Sequence, residues 1–144
     1  MNHLPPLVRD QRKVDADHLN LLSVFHFVGA GLAVLGILFL LAHYAVFHAF
    51  LDNPKFWESQ KQTPPPAELF AMFEWFYLVF GAWFAGSGVL NLISPFRLRA
   101  KKQRTFSLIV AGINCVHIPL GTTLGVFTII VLLRDSVREL YETS

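Results

Sequence analysis

From His18 to Leu51 the chain contains no Asp, Glu, Lys or Arg, a run of 34 residues. About 20 apolar residues in a helix are enough to cross the hydrocarbon core of a bilayer. In lipid the backbone of such a run must satisfy its own hydrogen bonds, which makes it a helix. It is too long for a secretory leader. The segment before it carries Asp10, Asp15 and Asp17, and no small-residue cleavage site follows, so the sequence predicts that the run is retained. A second charge-free run lies between Glu74 and Arg97 and a third between Arg104 and Arg134. With 53% hydrophobic and 15% charged residues, the composition is that of an integral membrane protein of one domain.

The third run holds 29 residues and carries Ile118-Pro119-Leu120-Gly121 near its middle, which fits either a hairpin of two helices or one kinked helix. Charge placement favours the hairpin. Ten of the twelve basic residues fall in three segments: Arg9, Arg12 and Lys13; Arg97, Arg99, Lys101, Lys102 and Arg104; and Arg134 with Arg138. Four crossings with both termini inside make all three segments cytoplasmic and leave only Lys55 and Lys61 outside, as the positive-inside rule requires. The expected fold is therefore an all-α four-transmembrane-helix bundle. Residues 1–17 form a cytoplasmic segment opening on a short Leu4-Pro5-Pro6 lead, helices run over about 18–50, 69–95, 98–118 and 120–140, and 134–144 is a cytoplasmic tail. The outer connection, Leu51 to Glu68, contains Trp57 and Pro64-Pro65-Pro66 and reads as extended and irregular. Tyr44, Trp75 and Tyr77 fall at the expected outer boundary.

Helices in lipid associate through close packing, which small residues four apart permit. Gly29, Ala33 and Gly36 share a stripe, as do Gly81 with Ala85, Ala82 with Gly86, and Gly121 with Gly125. Packing within the chain is the ordinary use of such faces, and self-association the alternative. Polar residues within the runs are His26, His43, His48, Asn91, Asn114, Cys115 and His117. Asn91 and Asn114 are expected to bridge helices, Thr122 and Thr123 to bond carbonyls freed by Pro119, and His26 to bond a neighbouring helix. Cys115 reads as a packing residue and cannot alone build a disulfide or a thiolate metal site.

His43, His48, Glu74 and His117 fall toward the same expected side, and three imidazoles with a carboxylate suit a transition metal or haem. His43 and His48 nevertheless point about 140° apart around a helix, so convergence depends on neighbouring helices. No P-loop, dinucleotide fingerprint, HExxH or CxxC occurs. A net charge of +2, with basic residues where topology wants them, gives no support for nucleic-acid binding. The Arg97–Arg104 cluster suits anionic lipid headgroups, although topology alone accounts for it. Arg138 and Glu142 are spaced for an i,i+4 pair.

Two stretches carry a resemblance. Leu19 to Gly31, with Phe25-His26-Phe27-Val28-Gly29, resembles the FHY-x-x-x-G opening of a group of small bacterial four-helix membrane proteins, Phe27 replacing the tyrosine. Thr105 to Leu133, with Cys115-x-x-x-Pro119-x-Gly121-Thr122-x-Leu124-Gly125, is similar to the closing helices of the same group. The resemblance implies a bacterial inner membrane and points to His26, Gly29, Cys115, Pro119, Gly121 and Gly125, but it implies no activity. The leading expectation is a non-enzymatic membrane component without cofactor, with lipids and either a second copy or another membrane protein as partners. A small oligomeric pore or transporter and a metal- or haem-binding protein are the alternatives.

Overall fold

The computed structural model describes residues 6–61 and 63–142. Among the described residues the fold is all-helical, with α1 Pro6–Leu51, α2 Pro54–Gln60, α3 Ala67–Arg99, α4 Arg104–Asn114, α5 Leu120–Leu132 and α6 Asp135–Glu142. Two stretches, Gln11–Leu51 and Glu68–Arg99, are long and apolar enough to cross a membrane. A third span exists only if Leu120–Leu132 and Asp135–Glu142, bent by 72°, count as one.

The expected bundle is thus met in its helical, membrane-spanning character, while the closing helices differ from the expected 98–118 and 120–140. α4 has 11 residues and α5 has 13. At 1.5 Å per residue these are ~17 and ~20 Å long, short of a ~30 Å core. A turn intervenes because the chain around Lys101 and Gln103 adopts left-handed backbone, at φ 50° and 54°, which ends α3 and resets the direction of α4. Two further boundaries move. α1 begins at Pro6, so most of the segment expected before residue 18 is helical, while Leu4 and Pro5 of the lead lie outside the described residues. The connection expected to be irregular holds α2, because the Asn53 side chain caps the Lys55 amide at 3.1 Å and Pro54 supplies the backbone angle of a first turn.

The chain divides into two compact units. One comprises the residues up to Gly31 and those from Ser87 onward. Its apolar core is Leu19, Leu22, Leu98, Val131, Leu132 and Val137, against which Leu108, Leu124 and Tyr141 pack. On α1 the buried positions Asp15, Leu19, Leu22, Ser23, His26 and Ala30 define one inward face of this unit. On α3 the inward face is Ser87, Asn91, Ser94, Pro95 and Leu98. Pro95 sits inside α3 and removes a backbone donor, and Ser23 Oγ on α1 approaches its carbonyl at 3.3 Å as well as the Leu19 carbonyl at 2.9 Å.

The third charge-free run is a hairpin of two separate helices. A methyl group at Gly125 would run into the Ala111 carbonyl and Cys115 Sγ, and one at Gly121 into His117 and the Asn114 carbonyl. These glycines therefore let the backbone of α5 lie directly on α4. Thr122 Oγ1 donates to the Cys115 carbonyl at 2.8 Å and Thr123 Oγ1 to the Pro119 carbonyl at 3.1 Å, so the break between the helices is hydrogen-bonded by the threonines expected there. At its other end Arg104 Nε donates to the Leu132 carbonyl at 2.7 Å, closing the hairpin.

Asp15, read from sequence only as a leader charge, is buried in this unit. Its Oδ1 accepts from Arg134 Nη1 at 3.3 Å and from Gln11 Nε2 at 3.1 Å, and Arg134 also reaches His18 Nδ1 at 3.2 Å. The start of α1 is thereby tied to the exit of α5. Arg12 and Glu139 add an exposed pair at 3.8 Å that contributes little.

The other unit spans Leu32 to Gly86 and contains the later half of α1, α2 and the first half of α3. Among the described residues from 34 to 86 none is buried, and Leu35, Phe39, Leu41, Trp75 and Leu78 are each at least 60% exposed. Such a surface is ordinary against lipid tails. Gly36 packs under the Phe84 ring, whereas Gly81 and Gly86 have nothing within 4 Å of where a Cβ would stand.

Two outcomes test this packing. Gly125→Val should lower stability in detergent by about 2 kcal/mol or more, because the added carbons meet backbone atoms that cannot rotate away. Arg134→Gln, which strips a buried carboxylate of its cation, should cost about 3 kcal/mol, and adding Asp15→Asn should restore part of it. Equal melting temperatures for wild type and either single variant would contradict the structure.

Candidate functional site

Polar side chains dominate the inward faces of the first unit. Asp15, Ser23, His26, Ser87, Asn91, Ser94, Ser107, Asn114 and Thr128 are all at most 5% exposed. Polar groups held at membrane depth are costly unless paired, so each of their partners matters.

Asn91 on α3 and Asn114 at the end of α4 pair reciprocally. Asn91 Nδ2 donates to Asn114 Oδ1 at 2.7 Å and Asn114 Nδ2 donates to Asn91 Oδ1 at 2.8 Å, while Asn91 Nδ2 also reaches the Ser87 carbonyl at 2.9 Å. Thr128 Oγ1 donates to the Leu124 carbonyl one turn back at 2.7 Å. The expectation that the two asparagines bridge helices is met, by each other. Gly29 of α1 lies beside this pair, since a Cβ there would stand 3.4 Å from Asn91 Oδ1.

His26 is fully buried and differs from expectation in its partner. Its Nδ1 lies 3.1 Å from the Leu22 carbonyl of its own helix. A carbonyl only accepts, so Nδ1 carries a proton, and in the neutral ring Nε2 is left as an acceptor. That Nε2 has no partner among the described residues, and neither do the hydroxyls of Ser94 and Ser107. These atoms can hydrogen-bond an ordered water or another small polar guest. Ser94 and Ser107 were missed in the sequence because a serine in an apolar run is unremarkable until both of its neighbours are known. Asp15 was missed because it lies beyond the charge-free run.

The second unit gathers rings instead. His43 Nδ1 and the Tyr77 hydroxyl are 2.6 Å apart, joining α1 to α3. The His43 ring stacks on Phe47 at 5.9 Å, Phe47 meets Phe73 edge-on at 4.8 Å, and Tyr44 lies edge-on to Tyr77 at 5.1 Å and against His48 at 4.3 Å. Tyr44 and Tyr77, read as boundary anchors, are partners of the histidines.

The four residues proposed from sequence as a metal centre are divided between the two units. His43 engages Tyr77, His48 Nδ1 engages Asp52 Oδ2 at 3.1 Å, Glu74 is exposed, and His117 belongs to the break between α4 and α5 in the other unit. Among the described residues no group of three or more His, Cys, Asp or Glu is placed to hold a metal ion. The reason is geometric: the ~140° between His43 and His48 sends them to different partners. Cys115 is half-buried and unbridged, with its sulfur against Gly125.

Comparison with known protein families, curated sequences and solved structures gives no match.

Asn114→Ala should destabilise the first unit by about 1–2 kcal/mol, because it leaves the Asn91 amide short of a partner in an apolar surround. The double variant Asn91→Leu with Asn114→Leu should lose less than the two single variants added together. Additive losses in that thermodynamic cycle would show that the two amides do not act as a pair.

Proposed function

We propose that this chain is a non-enzymatic bacterial inner-membrane component that assembles with a second copy of itself through α3. The observation that carries the reading is the unequal use of small residues. Gly29, Gly36, Gly121 and Gly125 each have side-chain or backbone atoms within 4 Å of where a Cβ would stand; Gly31 on α1 and Gly112 on α4 are open but have no small residue four positions away, and Gly81 and Gly86 on α3 stand open too. Each is spaced four residues from an alanine, Ala85 and Ala82 respectively, and both alanines are exposed. In lipid, hiding leucine or phenylalanine gains little, and close backbone approach across small residues is what draws helices together.

In this reading α1 and α3 cross the membrane and α4–α5 enters from the basic side and returns without crossing. The contacts of Arg104 with Leu132 and of Arg134 with Asp15 support that arrangement, since they hold the hairpin's mouth beside the start of α1. Two crossings and a returning hairpin leave both termini on the cytoplasmic side, as the four-crossing arrangement also does, so the basic segments remain inside.

Single-molecule photobleaching of labelled protein at dilute, graded densities in lipid bilayers tests the assembly. Wild type should bleach in two steps, Gly81→Ile with Gly86→Ile should shift the dimerisation constant at least tenfold toward monomer, and Gly31→Ile on α1 should leave it unchanged. One-step bleaching of wild type across the whole density range would sink the proposal.

A further inference from the structure

Two groups of basic residues stand out in the first unit. Some are engaged within the protein. The Arg99 guanidinium lies 5.6 Å from the centre of the Phe27 ring, Arg134 holds Asp15, and Arg12 faces Glu139. Others line one open cavity of about 570 Å³, formed by Lys101, Lys102, Gln103, Arg104, Arg138, Tyr141 and Glu142.

Four cations against one carboxylate leave this cavity with a net charge of +3. Glu142 Oε1 accepts from Arg138 Nε at 3.0 Å, so part of that pair is already neutralised. Lys101 and Lys102 have no ion pair among the described residues. Arg104 uses Nε on the Leu132 carbonyl, and a guanidinium has four further N–H donors. The backbone brings these charges together at a cost, since both Lys101 and Gln103 take the left-handed conformation that side chains disfavour. α4 starts at Arg104 without a side-chain cap, and the open amides of a helix start add positive potential.

Tyr141 forms one wall. Its hydroxyl is buried with no partner among the described residues, and burial pushes its pKa up to about 12 against the lowering effect of Arg104. The phenol therefore keeps its proton at neutral pH and remains a donor. α6, which turns away from α5 by 72° and carries Arg138, Glu139 and Glu142, lies outside the two long apolar spans. The cavity accordingly sits where an apolar hairpin meets its charged flank. Positioning alone requires only that basic residues be on this side, and an open cavity that brings unpaired lysines from one turn together with an arginine and a phenol from another helix goes beyond that requirement.

We propose that the cavity formed by Lys101, Lys102, Arg104, Arg138 and Tyr141 is a binding site for a phosphate-bearing anion. The same chemistry is offered by the phosphodiester headgroup of an anionic lipid and by a free phosphate, and the two sources separate experimentally. Binding is read as the shift in melting temperature of the full-length protein in neutral detergent, titrated in parallel with phosphatidylglycerol, phosphatidylcholine and inorganic phosphate.

Phosphatidylglycerol should raise the melting temperature saturably while phosphatidylcholine does not, which assigns the site to a lipid headgroup. Saturable stabilisation by millimolar inorganic phosphate, equal to that by the lipid, assigns it to a soluble anion. In either case Lys101→Gln with Lys102→Gln should weaken the apparent affinity about tenfold or more, given the usual contribution of each basic residue near an anionic surface. The control, Lys55→Gln with Lys61→Gln, removes the same charge from the other unit and should leave affinity unchanged. No shift with either anion, or equal weakening by both double variants, would overturn the proposal.

Discussion

Asn91 and Asn114 face each other with both amide hydrogen bonds made, at 2.7 and 2.8 Å, on the inward faces of α3 and α4. Their pairing is what allows a short helix to hold its place in an apolar surround. α4 cannot lean on length, because 11 residues fall well short of a bilayer core. It gains instead from a reciprocal polar contact whose disruption leaves two unpaired carboxamides, and from α5 lying close enough to exclude every side chain but glycine at positions 121 and 125. The remaining ties, Arg104 to the Leu132 carbonyl and Arg134 to Asp15, fasten the charged end of the same unit.

The two units solve different problems with similar-looking sequence. The first buries polar and small residues and builds its specificity from hydrogen bonds, because apolar side chains gain little by turning away from lipid. The second exposes its leucines and phenylalanines and orders a small set of rings around His43 and Tyr77. That contrast explains why histidines at comparable depth in apolar runs have unlike surroundings. His26 is fully buried, bonded only to its own helix, and His43 and His48 sit among half-buried and exposed aromatic neighbours.

The same reasoning links the two proposals without making either depend on the other. The open small residues of α3, Gly81 with Ala85 and Gly86 with Ala82, concern backbone approach within the apolar layer, and the basic cavity concerns charge left over at its edge after Arg12, Arg99 and Arg134 have found partners. Both follow from asking which groups of one kind are used inside the chain and which are not.

Charge-free length determined the membrane helices at the level of sequence: 34 residues without a charge admit few other solutions, and the spacing of Pro119 and Gly121 in the third run pointed to a break. The asparagine bridge and the threonines at that break were legible too, since a polar group in lipid must find a partner. Tertiary structure alone decided which partner. It sent His43 and His48 apart, turned His26 back on Leu22, drew Asp15 and Arg134 together from 119 residues away, and shortened the closing helices, α4 by placing left-handed residues at Lys101 and Gln103 and α5 by the 72° bend into α6. The physical reason is that periodicity along a helix fixes which residues share a face, whereas the identity of the facing helix, and so the fate of every polar group on that face, is a property of packing between segments distant in sequence.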